Sequence, residues 1–248
     1  MTMPTSKTSA FDRHVYAVQR YVSLTAPRYA GLFRPGLAVH PICSFGDPAQ
    51  ARIVTVGVNP SDREFVSARG WPDMQMDHTT LAERYRNYFT KPHKWFTPWT
   101  EGLEYLKAGY LDGSAVHIDL SPRATRPVFD FKFAREQDLF LDMVQRDLWA
   151  FFGMLELCTK AQLIILAGSV TGKFYINEFV QRFAPEYGYS LDGAFNRLEH
   201  PGRGKTASHE LSGGGRKLNV FFCSSSPSDK QETLLPKRMK EFAKQLKT

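Results

Sequence analysis

Cysteine is scarce in this chain. Its 248 residues include three, Cys43, Cys158 and Cys223, and they lie far apart. That excludes a disulfide framework and a Cys-x-x-Cys metal knuckle, and three thiols are too few for a four-cysteine iron–sulfur cluster. The reading that follows is a reducing, cytoplasmic setting. Long apolar runs are missing as well. No stretch approaches the roughly 18 to 20 residues of a membrane helix, and no signal-peptide core opens the chain, so no membrane partner is expected. No internal repeat and no domain linker is visible. One domain over residues 1–248 is expected, with the Thr/Ser-rich residues 1–10 frayed.

Apolar residues are plentiful. They make up 42% of the chain and include 19 Phe, which excludes a largely disordered protein. The net charge is +7, and it is unevenly placed. From Arg197 onward there are eleven Lys or Arg against five Asp or Glu. Such a cluster is either a solvated basic tail or the electrostatic footprint of a nucleic-acid partner.

Periodicity gives the elements. Helices are predicted over Phe11–Tyr21, Leu81–Phe89, Glu101–Leu106, Arg135–Cys158 and Thr171–Phe183, and a basic amphipathic helix closes the chain. Short apolar strands are predicted over Arg52–Val56, Ala115–Ile118, Gln162–Ala167 and Leu218–Cys223. The glycine-rich residues 188–217 read as a long loop, with Gly213, Gly214 and Gly215 as a flexible segment. Strands alternating with helices argue an α/β fold, a central mostly parallel four-stranded sheet covered by helices on both faces. Each strand ends in a polar or Gly-rich cluster: Gly57 to Ser61, Asp119 to Thr125, Gly168 to Thr171, and Ser224 to Ser228. In open α/β sheets such ends converge on one crevice.

Several familiar motifs are approached and missed. Ala167 to Phe174 imitates a phosphate loop, but the first Gly is Ala and Phe174 replaces the magnesium-binding hydroxyl. Gly168 and Ser169 remain candidates for holding a single phosphate. His40 with Cys43, and Asp77 with His78, lack partner pairs at metal-ligand spacing. Gly202 to Ala207 fits a loose dinucleotide pattern but opens no helix. No G-x-S-x-G elbow is present.

Two strand ends carry more. Ile53-Val54-Thr55-Val56-Gly57-Val58-Asn59-Pro60-Ser61 and Val220 to Ser228 together resemble the two signature motifs of the uracil-DNA glycosylase superfamily. The first resembles the G-x-N-P-G form of its mismatch-specific and single-strand-selective branches, with Ser61 in place of the last Gly. The second resembles the H-P-S-P motif, with Ser224-Ser225-Ser226-Pro227 in its place, and the serine run is similar to that of the thymine-DNA glycosylases. Asp119 to Thr125 resembles the N-x-V-x-R-x-T stretch between them.

The resemblance implies a three-layer α/β/α sandwich and excision of a flipped uracil or other deaminated or damaged base from DNA, with neither metal nor cofactor. Asn59 would position the water and Ser224 would support the leaving base. Gly57 and Val58 would shape the base pocket, Phe65 or Trp71 would stack on the base, and Asp119 would read its edge. Ser61, Arg123, Gly168, Ser169, Arg203, Ser226, Ser228 and Lys230 would contact DNA, with Arg126 beside them. The chain departs from the pattern at Asp119, where several branches have Asn, and at Ser224, where the fast members have His. An ionised Asp only accepts hydrogen bonds, so a base with an amino group suits it better than uracil. Asp229-Lys230 replaces an apolar wedge, which favours single-stranded DNA. Two other readings use the same crevice: a non-catalytic nucleic-acid binder of this fold, and an enzyme acting on a nucleotide or phosphorylated metabolite.

Overall fold

The computed structural model describes residues 9–35, 41–62, 77–90, 94–193, 195–227 and 234–246. Six strands form the main sheet: β1 (Ile53–Gly57), β2 (Ala115–Asp119), β3 (Leu163–Ala167), β6 (Ser190–Leu191), β7 (Thr206–Gly213) and β8 (Arg216–Cys223). Their order is β2-β1-β3-β8-β7-β6. The first four run parallel, while β7 and β6 are added antiparallel. Helices α1 (Ala10–Thr25), α2 (His78–Arg86), α3 (Thr97–Tyr105), α4 (Ala134–Leu157), α5 (Ile176–Phe183) and α6 (Leu234–Gln245) flank it. No helix of the described residues is long and apolar enough to cross a membrane.

The central strands form because they can be buried throughout. Every residue of β1, β2 and β3 is buried, as parallel strands covered by helices require. Helix starts are marked by side chains. Ser9 accepts from the Asp12 N–H at 3.1 Å at the head of α1, and Asp77 accepts from Thr79 and Thr80 N–H at the head of α2. Asp77 is thus a cap, and His78 sets its ring against Tyr16. Cys43 is buried, and desolvation pushes its thiol up, which disfavours the thiolate a metal would need.

Two expectations are corrected. The sheet has six strands rather than four, because residues 188–217 are not a plain loop. Thr206–Gly213 pairs with Arg216–Cys223 across Gly214 and Gly215, whose φ angles of 57° and 75° suit a two-residue mirror-image turn. The glycine run is therefore a hairpin tip. The helix expected from Thr171 begins only at Ile176, because Ser169–Val170 (β4) and Phe174–Tyr175 (β5) first form a small antiparallel pair.

Helix α1 packs on α2 and α4, and α3 packs on α6. Gly153 of α4 makes room for His14 of α1, whose Nε2 donates to the Ala150 carbonyl at 3.1 Å. Burial lowers this imidazole from its ordinary 6.5 to about 4, against the pull of that carbonyl. The unfolded chain therefore takes up the proton near pH 6.5 and the folded one only near pH 4. The stability contribution is fully present above pH 6.5 and drains away as the pH falls to 4, by at most about 3 kcal/mol. In urea titrations across that window, His14→Gln should lose stability less steeply than wild type.

Candidate functional site

Strand register builds the floor of the site. Thr55 of β1 lies beside His117 of β2, and Gly57 beside Asp119. Alternation puts all four on one side of the sheet. Thr55 Oγ1 is 2.8 Å from His117 Nδ1 and 2.7 Å from the Tyr110 hydroxyl. His117 Nε2 faces Asp119 Oδ1 at 3.4 Å without forming a hydrogen bond. A Cβ on Gly57 would collide with that Oδ1 and lie 3.1 Å from Nε2. Only glycine leaves the acid and the imidazole their places.

The chain stays laced beyond the strand ends. Leu120 N–H donates to the Gly57 carbonyl at 3.1 Å, Ser121 N–H to that of Val58 at 2.9 Å, and Thr125 N–H to that of Pro60 at 3.2 Å. Asn59 is held inside this lattice. Its Nδ2 donates to the Arg123 carbonyl at 3.1 Å, to Thr125 Oγ1 at 2.8 Å and to the Pro60 carbonyl at 2.8 Å. Carbonyl acceptors on that side fix which end of the amide is nitrogen. Oδ1 is the end left over, with no protein partner among the described residues. The backbone N–H groups of Val58 and Asn59 likewise find no acceptor among them.

A cavity of about 360 Å³ opens over these strand ends, within the range of small-molecule sites. Gly57, Val58, Asn59, Pro60 and Ser61 form one wall, and Asp119 lines it beside them. Ala167, Gly168, Ser169, Ser226 and Pro227 form another. Gly168, at φ 91°, comes so close to Ser226 that a Cβ there would lie 3.3 Å from the serine's own. Phe45, Trp95 and Phe96 add an aromatic side. Their ring centres lie 5.7, 5.3 and 5.2 Å from that of His117, so the imidazole is enclosed by rings. Arg126 reaches the cavity and pairs with Glu136 at 2.8 Å.

The cavity thus gathers Gly57, Val58, Asn59, Ser61, Asp119, Gly168, Ser169 and Ser226 of the predicted residues. Phe65, Trp71, Ser228 and Lys230 lie outside the described residues. Ser224 does not line the cavity. Its hydroxyl donates to the Gly202 carbonyl at 3.0 Å and accepts from Lys205 N–H at 2.8 Å, so it staples a loop instead of facing a leaving group. Arg203 is exposed on that same loop and is likewise not at the cavity wall.

Arg123 is the clearest correction. It is wholly buried and cannot meet DNA. Its guanidinium bonds Asp147 (Nε to Oδ2 2.9 Å, Nη2 to Oδ1 3.3 Å) and Thr25 Oγ1 at 2.5 Å, while Asp147 also accepts from Ser121 at 2.6 Å. Burial pushes the Asp147 carboxyl up and Arg123 pulls it down.

No protein-family model matches the chain, and no curated protein matches it. The site therefore rests on its own geometry. Sequence reasoning passes over His117, Phe45, Trp95 and Phe96. The signal for His117 was its spacing of two from Asp119 within a strand, which places both on one face. The three rings carried no signal, since they stand in segments without a clean period.

Three single substitutions and one double variant probe this construction. Gly57→Ala should cost about 1 to 3 kcal/mol in denaturant unfolding, as overpacking does, whereas Gly172→Ala, with open space around its Cβ, should be close to neutral. Arg123→Met should cost about 3 to 5 kcal/mol by leaving Asp147 buried and unpaired, and Arg123→Met with Asp147→Leu should recover most of that loss.

Proposed function

We propose that this protein is a DNA glycosylase that hydrolyses the N-glycosidic bond of a flipped uracil or other deaminated or damaged base. Its scaffold would be the three-layer α/β/α sandwich of the uracil-DNA glycosylase type. The observation that carries this reading is the state of Asn59: its Nδ2 is tied down by the Arg123 carbonyl and Thr125, and its Oδ1, in a residue that lines the cavity, has no protein partner among the described residues. A fixed amide oxygen can orient a water, although it cannot act as a strong base.

The chemistry needs little else. Water oxygen bonds to C1′ of the deoxyribose while the bond from C1′ to the base nitrogen breaks. The bonding electron pair leaves with the base, and a proton from the water ends on it. The N–H groups of Val58 and Asn59, which have no acceptor among the described residues, would meet charge growing on the base. Phe45, Trp95 and Phe96 offer ring faces and edges against which a base can pack. Ser169 and Ser226 hydroxyls are suited to phosphate oxygens, contacts that position DNA without reading it. The partner is DNA, with single strands favoured, in a cytoplasmic setting and with no metal or cofactor in the reaction.

The test is release of free base from single-stranded oligonucleotides carrying uracil, hypoxanthine, xanthine or an oxidised cytosine. Release is expected from at least one, reduced about 100-fold or more in Asn59→Ala, as loss of positioning implies. No release from any of them, or an unchanged Asn59→Ala, overturns the reading. Salt-sensitive retention of DNA without product would make the protein a non-catalytic binder instead.

A further inference from the structure

Asp119 is the anomaly of the cavity. Its side chain is 4% exposed, it lines the cavity, and no described residue donates a hydrogen bond to it. His117 Nε2 is 3.4 Å from Oδ1 and itself has no hydrogen bond among the described residues. His117 is not free to turn and correct this, because Nδ1 is engaged by Thr55 and rings surround the imidazole. Nor can Asp119 withdraw, since β2 fixes its backbone beside Gly57. Buried carboxylate oxygens are almost always supplied with donors. Here the open side of the carboxylate is the cavity, so the donor has to come from what enters it.

We infer that the site selects a base bearing an exocyclic amino group on the edge that meets Asp119. Uracil offers one ring N–H flanked by two carbonyls. A carboxylate oxygen that takes that N–H sets its twin against a carbonyl lone pair. The amino group of a cytosine-type base stands at the end of the edge, flanked by one ring nitrogen and by C5 with its substituent, and its N–H reaches the carboxylate without setting a carbonyl oxygen against it. Asp119 is then a specificity-determining residue, and the preferred substrate is a damaged base that has kept its amino group. The proposal rests on the glycosylase reading for the reaction, but not for the binding.

Binding and release therefore need separate arms. In the first, single-stranded oligonucleotides carry 2′-fluoro-2′-deoxycytidine or 2′-fluoro-2′-deoxyuridine, whose fluorine resists cleavage of the sugar–base bond. Wild-type protein is expected to bind the cytosine form about tenfold more tightly, the worth of one hydrogen bond to a charged acceptor. In Asp119→Asn, an isosteric change that restores a donor, the preference should vanish or invert. Equal affinities in wild type, or a preference that Asp119→Asn leaves unchanged, overturn the inference. If the variant does not fold, the wild-type ratio decides alone.

In the second arm, release of 5-hydroxycytosine is compared with that of 5-hydroxyuracil, a pair that differs only in the edge at issue, amino and bare N3 in one against carbonyl and N3–H in the other. Faster release of 5-hydroxycytosine supports the inference. Faster release of 5-hydroxyuracil overturns it and leaves the glycosylase reading standing. A cytosine preference in binding with no release of any base supports the selection while removing the glycosylase.

Discussion

The buried pair of Arg123 and Asp147 is the constraint on which the site depends. Arg123 points its guanidinium inward to Asp147 of α4 and to Thr25 and the Val22 carbonyl of α1. Its backbone carbonyl points the other way and accepts from Asn59. One residue therefore ties two helices to the loop that fixes a candidate water-positioning amide. The planar fork of arginine suits this role, since lysine would meet one acceptor well instead of several. Tyr21 and Tyr29 place their rings 5.0 and 5.2 Å from the guanidinium, so the charge is removed from water on every side and losing its partner is costly.

The second constraint is register. Pairing β1 with β2 one residue out of step would put Gly57 beside another residue and turn Asp119 to the opposite face. The observed register sets the smallest residue against the acid, and this permits the close approach of Asp119, His117 and the main chain. The cost is borne in unsatisfied polar atoms: His117 Nε2 and Trp99 Nε1 are both buried without a hydrogen bond among the described residues. Such atoms are rare in folded proteins and tend to mark places where stability is traded for function.

Sequence made the strand ends legible, because a short apolar run followed by Gly, Asn, Pro and Ser has few other meanings. That suffices to assign Gly57, Asn59, Asp119, Gly168 and Ser226 to one edge of the sheet, where the cavity gathers them. It does not reveal which side chain turns inward. Arg123 and Ser224 sit in the right stretches, yet both spend their polar groups on the protein itself. Burial of an arginine depends on a carboxylate 24 residues later, on α4, and no local pattern encodes that. The hairpin of β7 and β8 is a different kind of miss. Its signal was present in the glycines and in the alternation of Thr206–Gly213, but the polarity of an antiparallel edge hid it.

The basic C-terminal region also looks different once its partners are known. Arg216 donates to the Cys158 carbonyl at 2.7 Å and to that of Leu155, capping the end of α4. Lys217 pairs with Glu210, and Arg238 with Glu241. Arg126 is the one cation among the described residues lining the cavity, and it is matched by Glu136. The described lining, so nearly neutral, gains little from phosphate attraction, which would fall steeply with salt in any case. Discrimination has to come from the shape of the aromatic wall and from the hydrogen-bonding edge. On that edge stands Asp119, a buried acid to which no described residue donates a hydrogen bond.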